Sequence, residues 1–267
     1  MHDFVSFGGE IISADGAVMP AVSAAAMYGR GVFTTVAVFS GEPFLWDKHW
    51  RRLSENALRL GVGLSEISED FVSRSFDALI AANGVSKGRA RIGIHDRSRG
   101  GAWSGDEAAA PALIIMTGDL MPRRNEIRLT LSAFPVNSAS PLAGIKSCNY
   151  LENLIALEDA KQRGFDEAIR QNERGEVVSG CMSNIFWIRD GQLFTPALST
   201  GCLAGTTREF ILENSDCTET KAGIDELLNA DALFLTSAGV GIMPAASLNE
   251  TKFGAVEISI PGFPDYG

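Results

Sequence analysis

Two blocks of alternating β-rich runs and amphipathic helices, parted by a polar break at Gly118–Arg124, restrict this chain to a mixed fold. In the first block, Phe4–Phe7 and Glu10–Ser13 read as strands around Gly8-Gly9. Phe33–Phe39 is β-rich, and Ser40-Gly41-Glu42 turns it into Phe44-Leu45-Trp46 as the second arm of a hairpin. Asp47 is placed to cap a helix carrying Trp50, Leu53, Ala57, Leu58 and Leu60, which Gly61 stops. A second helix covers Glu69–Ala82 and ends at Asn83-Gly84; strands follow at Ala90–Ile94 and Ala112–Thr117, flanking a polar loop from Arg97 to Glu107.

The second block starts with the alternating strand Ile127–Leu131 and a Pro/Ser/Gly stretch that reaches Lys146. A helix runs from about Tyr150 to Arg163, closed by Gly164. Strands are expected at Glu167–Arg170, Val177-Val178, Ile185–Ile188, Leu193-Phe194, Leu233–Thr236 and Val256–Ile260, with a helix over Arg208–Glu213 opened by Gly205-Thr206-Thr207. The expectation is α/β or α+β, with one domain over residues 1–120 and another over 125–267.

Charge and cysteine usage narrow the function classes. A net charge of −10 argues against nucleic acid, because phosphate backbones need a basic face and Arg51-Arg52 alone is not one. Cys148, Cys181, Cys202 and Cys217 lie far apart, as do His2, His49 and His95, so no zinc spacing exists and no metal is expected. The start, Met1-His2-Asp3-Phe4, lacks a basic segment before an apolar run, and no stretch is long enough to span a membrane. Free thiols without a leader point to the cytoplasm.

Three features can carry chemistry. Lysines number six (48, 87, 146, 161, 221, 252) against 17 arginines, and only Lys146 follows an apolar stretch, Leu142-Ala143-Gly144-Ile145. A partly desolvated lysine there is a Schiff-base nucleophile; the plainer alternative is a loop cap or a carboxylate partner. Gly205-Thr206-Thr207 at a helix start offers amides and hydroxyls to an anion, or is an ordinary N-cap. In His49-x-x-Arg52-Leu53 an inward arginine would grip a phosphate, whereas an outward one, as Arg51 is expected to be, is a solvated face. Together these are an amine for an aldehyde and two grips for a phosphate.

From Tyr28 to Pro244 the chain resembles the class IV (fold type IV) pyridoxal-phosphate (PLP) enzymes: branched-chain and D-amino-acid aminotransferases and 4-amino-4-deoxychorismate lyase. The matching segments are Tyr28–Thr35, His49–Leu53, Lys146–Leu151, Ser183–Trp187, Gly191–Pro196 and Leu203–Arg208. The resemblance implies a homodimer whose chains have a smaller N-terminal α/β domain and a larger C-terminal pseudo-barrel domain, with PLP in the cleft. It implies that Lys146 holds PLP and shuttles the Cα proton, and that Arg52 with the amides of Thr206 and Thr207 binds the phosphate. Leu203 would pack on the pyridine ring and Tyr150 near the cofactor. Ser237 and the backbone of Ala238 would form a second phosphate-side loop, although aminotransferases usually carry threonine where Ala238 stands. Phe33 would face an amino-acid or keto-acid substrate, Arg97 and Arg99 would receive its carboxylate, and Trp103 is either a lid aromatic or a core anchor.

Phe33-Thr34-Thr35, Cys181-x-x-Asn184 with Phe186-Trp187, and Ala238 with Met243-Pro244 resemble the lyase more, while Asn149-Tyr150 is closer to the aminotransferases. One departure matters for either branch. Ser179 stands where the family places the glutamate that keeps the pyridine nitrogen protonated. A hydroxyl brings no charge, and Glu176, three residues back, would point to the opposite face of a strand. Three outcomes follow: slower transamination, chemistry such as elimination that needs less carbanion stabilisation, or a degenerate PLP-binding protein without turnover. The leading expectation is an aminotransferase-like enzyme, with the lyase as the alternative.

Overall fold

A computed structural model describes residues 1–99, 108–122, 126–254 and 258–266. The chain forms two compact units, one of Met1–Leu120 with Ile145–Tyr150, the other of Met121–Gly144 with Leu151–Gly267.

The first unit contains β1 (Phe4–Phe7), β2 (Glu10–Ser13), α1 (Ala24–Tyr28), β3 (Gly31–Phe39), β4 (Glu42–Pro43), α2 (Trp46–Arg59), α3 (Glu69–Asn83), β5 (Lys87–Asp96) and β6 (Pro111–Gly118). Its six-stranded sheet has the order β2-β1-β6-β5-β3-β4, and every neighbouring pair is antiparallel. One face is covered by α2 and α3, whose Leu53, Ala57, Val72, Phe76 and Leu79 close a core with Val32, Val36, Val38, Ala90, Ile92 and Ile94. In α2 the buried residues His49, Arg52, Leu53, Asn56 and Ala57 recur at helical spacing, which fixes the inward face.

Two local expectations are corrected here. The hairpin's second arm stops at Pro43, because proline has no N–H for the ladder, and Trp46 already belongs to α2. Asp47 does not cap that helix: the N-cap is Leu45, at φ 59°, and Asp47 lies inside the first turn, where its charge faces the helix dipole.

The second unit contains β7 (Ile127–Leu131), α4 (Leu151–Gln162), β8 (Glu167–Gln171), β9 (Val177–Gly180), β10 (Asn184–Arg189), β11 (Gln192–Pro196), α5 (Thr206–Asn214), β12 (Cys217–Thr220), α6 (Ile224–Leu228), β13 (Ala232–Ser237), β14 (Gly241–Leu248) and β15 (Thr251–Lys252). The sheet runs β12-β11-β10-β13-β14-β7-β8-β9, with β15 on β14; the pairs β11–β12, β14–β7 and β7–β8 are parallel. It curls, so that β9 comes back beside β10, where Gly180 N–H donates to the Ser183 carbonyl at 2.9 Å. Ile127, Leu129, Ile169, Val177, Ile185, Trp187, Leu233 and Leu235 fill the inside of the curl. Phe186 and Phe234 stack at 5.0 Å on the other face, with Ile211 of α5 in the same cluster.

The expected mixed α/β architecture is what forms. Elements without a strong period were not anticipated: α1, β12, α6, β14 and β15. In β14 a proline and two alanines hide the strand signal. Ala255–Glu257 and Trp103 lie outside the described residues, and Ile258–Ile260 is not a strand.

Candidate active site

The period of two along a strand sorts the side chains of β3 and β5 onto two faces. Val32, Val36, Ile92 and Ile94 point into the helix-covered core, and Thr34 shares their side of the strand. Phe33 and Arg91 take the other side, where the Arg91 guanidinium carbon lies 3.4 Å from the Phe33 ring centroid.

Lys146 is tied to this sheet through its backbone. Phe33 N–H donates to the Lys146 carbonyl at 3.0 Å, Cys148 N–H donates to the Gly31 carbonyl at 2.8 Å, and Val32 bridges Ser147. The ammonium nitrogen is 4.5 Å from the Phe33 ring centroid, 4.9 Å from that of Tyr150, and 3.4 Å from Tyr150 Oη. The two rings meet edge to face at 5.3 Å and 84°.

Burial first, then the charges of Arg52 and Arg91, bring the Lys146 pKa from 10.5 to about 7. That shift opposes the charged amine by roughly 5 kcal/mol, whereas two aromatic faces favour a cation by only about 1–2 kcal/mol. Desolvation wins, and Lys146 is half neutral near pH 7. Cys148, two residues on, is not a second nucleophile: burial pushes its thiol up to about 11, although Arg91 bonds to it.

Arg52 is buried on the inward face of α2, as the spacing predicts, while Arg51 is exposed. Its Nη2 donates to Thr34 Oγ1 at 2.8 Å, and that oxygen is also 2.6 Å from His49 Nδ1. His49 is held well below its usual pKa by burial, then by the charges of Arg52 and Lys146, and stays neutral.

In the second unit α5 begins at Gly205, an N-cap without a side-chain bond, so the helix dipole meets an approaching anion through Thr206 and Thr207, both buried. A Cβ on Gly205 would fall 1.9 Å from Asn184 Oδ1, so any larger residue there has to displace the Asn184 amide. Asn184 Nδ2 in turn donates to the Leu203 carbonyl at 2.9 Å and fixes that residue, itself partly exposed. Across the β10–β13 ladder from Asn184, Thr236 Oγ1 is buried and makes no hydrogen bond among the described residues. Ser237 and Ala238 follow it, both partly exposed; Tyr266 Oη donates to the Ala238 carbonyl at 3.1 Å.

Ser179 lies in β9 directly opposite Arg170 of β8, and its hydroxyl donates to the Gly180 carbonyl at 2.7 Å. Arg170 is buried and is occupied by Glu152 and the Phe134 carbonyl. Glu176 precedes the strand, where Arg174 (2.8 Å), Asn172 (2.7 Å) and Lys221 (3.9 Å) engage it; it offers no substitute carboxylate.

Phe33, Lys146 and Tyr150 are thus in contact, with Arg52 and Arg91 close enough to act on the amine's charge. Arg97 and Arg99 are exposed; Arg97 lies 5.9 Å from the Phe7 ring and lines a surface depression with Glu66, Ser65 and Pro111. The sequence reading missed Arg91. Its signal was the alternation in Arg89-Ala90-Arg91-Ile92, which puts a half-buried arginine on the Phe33 face. It also flagged His49 only as a neighbour of Arg52.

Among the described residues no helix is long and apolar enough to cross a membrane, and no group of three or more His, Cys, Asp or Glu side chains is placed to hold a metal.

Residues 31–248 match the family model for amino-transferase class IV. The aminodeoxychorismate lyase of Bacillus subtilis is 29% identical over 242 residues, covering 86% of this chain and 81% of that relative. The 4-amino-4-deoxychorismate lyase structure from Pseudomonas aeruginosa superposes with a TM-score of 0.82 at 25% identity, covering 95% and 94%. The branched-chain aminotransferase of Thermoproteus uzoniensis reaches a TM-score of 0.89 at 24% identity, covering 96% and 91%, a likeness of fold. All three are named as enzymes, and a degenerate, non-catalytic reading finds no support among them.

Proposed function

Since this chain belongs to the class IV amino-transferase family, we propose that it is a PLP-dependent enzyme acting on the amino group of an amino-acid-like substrate. The observation that carries this reading is the Lys146 amine, set against Phe33 and Tyr150 and brought to a pKa of about 7.

The described residues fit such a cofactor. Gly205 is a cradle that any Cβ would fill against Asn184, Thr236 Oγ1, on the residue paired with Asn184, is an orphaned buried polar atom, and in the first unit Arg52 is a buried cation. By the family resemblance Lys146 would hold the aldehyde carbon and Arg52 would bind phosphate; Thr206, Thr207, Ser237 and the Ala238 backbone offer amides and hydroxyls suited to a phosphate within the second unit. Leu203 would pack on the pyridine ring and Ser179 would meet its nitrogen with a neutral hydroxyl. When bound, PLP supplies an electron sink for charge developing at the substrate Cα. Lys146, neutral for half its population near pH 7, takes the Cα proton and returns it. Tyr150 Oη steadies that amine, and Arg91 receives the substrate carboxylate, a role better suited to it than to the exposed Arg97 or Arg99.

Transamination is the leading activity. Elimination, as in aminodeoxychorismate lyase, is favoured by the likeness to the Bacillus subtilis relative and by the uncharged Ser179. The test is to mix the PLP-loaded protein with amino-acid and keto-acid pairs, and separately with aminodeoxychorismate. Amino-group exchange supports transamination, release of pyruvate and p-aminobenzoate supports the lyase, and neither product from either mixture overturns the proposal.

The working form is a homodimer: the first two turns of α4 expose Leu151, Leu154 and Ile155, a stripe suited to a second copy. Its four free thiols suit the reducing cytoplasm.

A further inference from the structure

The turn that ends β13 is held from outside the sheet. Val240 N–H donates to the Ser237 carbonyl at 3.3 Å, and Ser237 pairs with Gly241 where β14 starts. Neither Ala238 N–H nor Gly239 N–H has a hydrogen-bond partner among the described residues. The Ala238 carbonyl, by contrast, accepts from Tyr266 Oη at 3.1 Å, a residue 28 positions on.

Tyr266 is buried and seated for that bond. Its ring lies over Gly241, where a Cβ would fall 2.8 Å from ring carbons and φ is +82°, so glycine answers both conditions. The ring stacks on Phe263 at 5.5 Å and 12°, and Phe263 meets Phe210 of α5 at 5.8 Å. Ile260 joins Ile211 of α5 in one buried cluster. The segment 260–266 thus fastens the turn to α5, whose N-terminus carries Thr206 and Thr207. Burial raises the Tyr266 phenol above its ordinary pKa, so it keeps its proton as a donor.

Thr236, just before the turn, is 1% exposed, and its Oγ1 makes no hydrogen bond among the described residues. It pairs across the ladder with Asn184, whose amide abuts Gly205, so this end of β13 lies beside the start of α5. In a trans peptide the N–H points opposite to the carbonyl. Holding the Ala238 carbonyl toward Tyr266 therefore turns the Gly239 N–H the other way and fixes its direction. Successive amides in a turn suit the oxygens of an anion.

We propose that Tyr266 is a positioning residue: its hydroxyl fixes the Ala238–Gly239 peptide so that the amides of this turn meet the phosphate of the cofactor. This rests on the reading of Ser237 and Ala238 as a phosphate-side loop.

The experiment compares the wild type with Tyr266→Phe, which keeps the ring on Gly241 and removes only the hydroxyl. PLP and pyridoxal, which lacks the phosphate, are titrated by visible absorbance, and inorganic phosphate by thermal shift. The phosphorus NMR resonance of bound PLP is recorded for both proteins. Tyr266→Phe is expected to weaken PLP by about fivefold and to lessen the rise in Tm that phosphate brings, because one hydrogen bond no longer orders the turn. Pyridoxal affinity should stay within about twofold, and the phosphorus resonance should move. A merely structural role would lower the Tm of the unliganded protein while leaving the ratio of PLP to pyridoxal affinity and the phosphorus resonance as they were. That result, or no change in any of these, overturns the proposal. If the wild type takes up neither PLP nor pyridoxal but Tyr266-dependent phosphate binding persists, the cofactor reading falls while the positioning role stands. No phosphate effect in the wild type, with PLP bound no more tightly than pyridoxal or not at all, sinks both.

Discussion

Lys146 Nζ and Tyr150 Oη stand 3.4 Å apart, an amine and a phenol within bonding reach over the edge-to-face pair of Tyr150 and Phe33. With the amine at about 7, capture of an aldehyde by Lys146 should rise with pH about a midpoint near 7, far below the ordinary lysine value. Arg91→Met removes one of the charges that lowers it and should move that midpoint upward. Stopped-flow absorbance against pH checks both, and a midpoint above 9 in the wild type would refute the assignment. The sign for stability follows: the folded state binds the proton less well than the unfolded chain, so the amine's cost is full below about 7 and fades toward 10.5. Lys146→Met should therefore raise Tm more at pH 6 than at pH 10.

In the proposed site Ser179 would meet the ring nitrogen. Ser179→Glu would place a carboxylate opposite Arg170, whose guanidinium already donates to Glu152 and the Phe134 carbonyl, so the new carboxylate would stay available to the ring nitrogen. Loss of deuterium from an α-deuterated amino acid by the loaded enzyme should quicken by about tenfold, the effect of roughly one pKa unit at the ring. An unchanged or slower exchange rate removes that position from the argument.

The Gly205 turn and Asn184 share one space. Gly205→Ala would push Asn184 Oδ1 away from 1.9 Å and break its bond to the Leu203 carbonyl, at a cost of about 2–3 kcal/mol. In an Asn184→Ala background the same substitution should cost much less, since the obstructing amide is gone. Urea denaturation of the four proteins measures the coupling; additive losses would show that the two side chains do not compete.

Glu167 is a buried carboxyl whose pKa burial raises, against the opposing hydrogen bond from Cys181 N–H at 2.8 Å. A raised folded value means that its contribution is fully present below 4.5 and is lost as pH climbs through the folded value. Glu167→Gln keeps an acceptor for Cys181 without the charge. Tm of the variant at pH 7 should equal or exceed that of the wild type, with a weaker dependence on pH above 4.5. A large drop at pH 7 would mean that the ionised form is the stabilising one.

Much of this protein was written locally. Alternation set β1, β2, β3, β5, β6 and β7, helical spacing turned Arg52 inward, and glycine ends marked α3 and α4. The scarcity of lysine singled out Lys146, and its motif partners supplied the chemistry. These signals are short-range, because backbone propensity and side-chain period act over a few residues. What the folded unit alone decided is long-range. Bridging of Val32 to Ser147 carries Lys146 to Phe33, the register of β3 with β5 stacks Arg91 on that ring, and the packing of α2 on β3 brings Thr34 between His49 and Arg52. Only that packing removes water from the amine and sets cations beside it. A pKa near 7 is therefore a property of the tertiary structure, not of a lysine in a sequence.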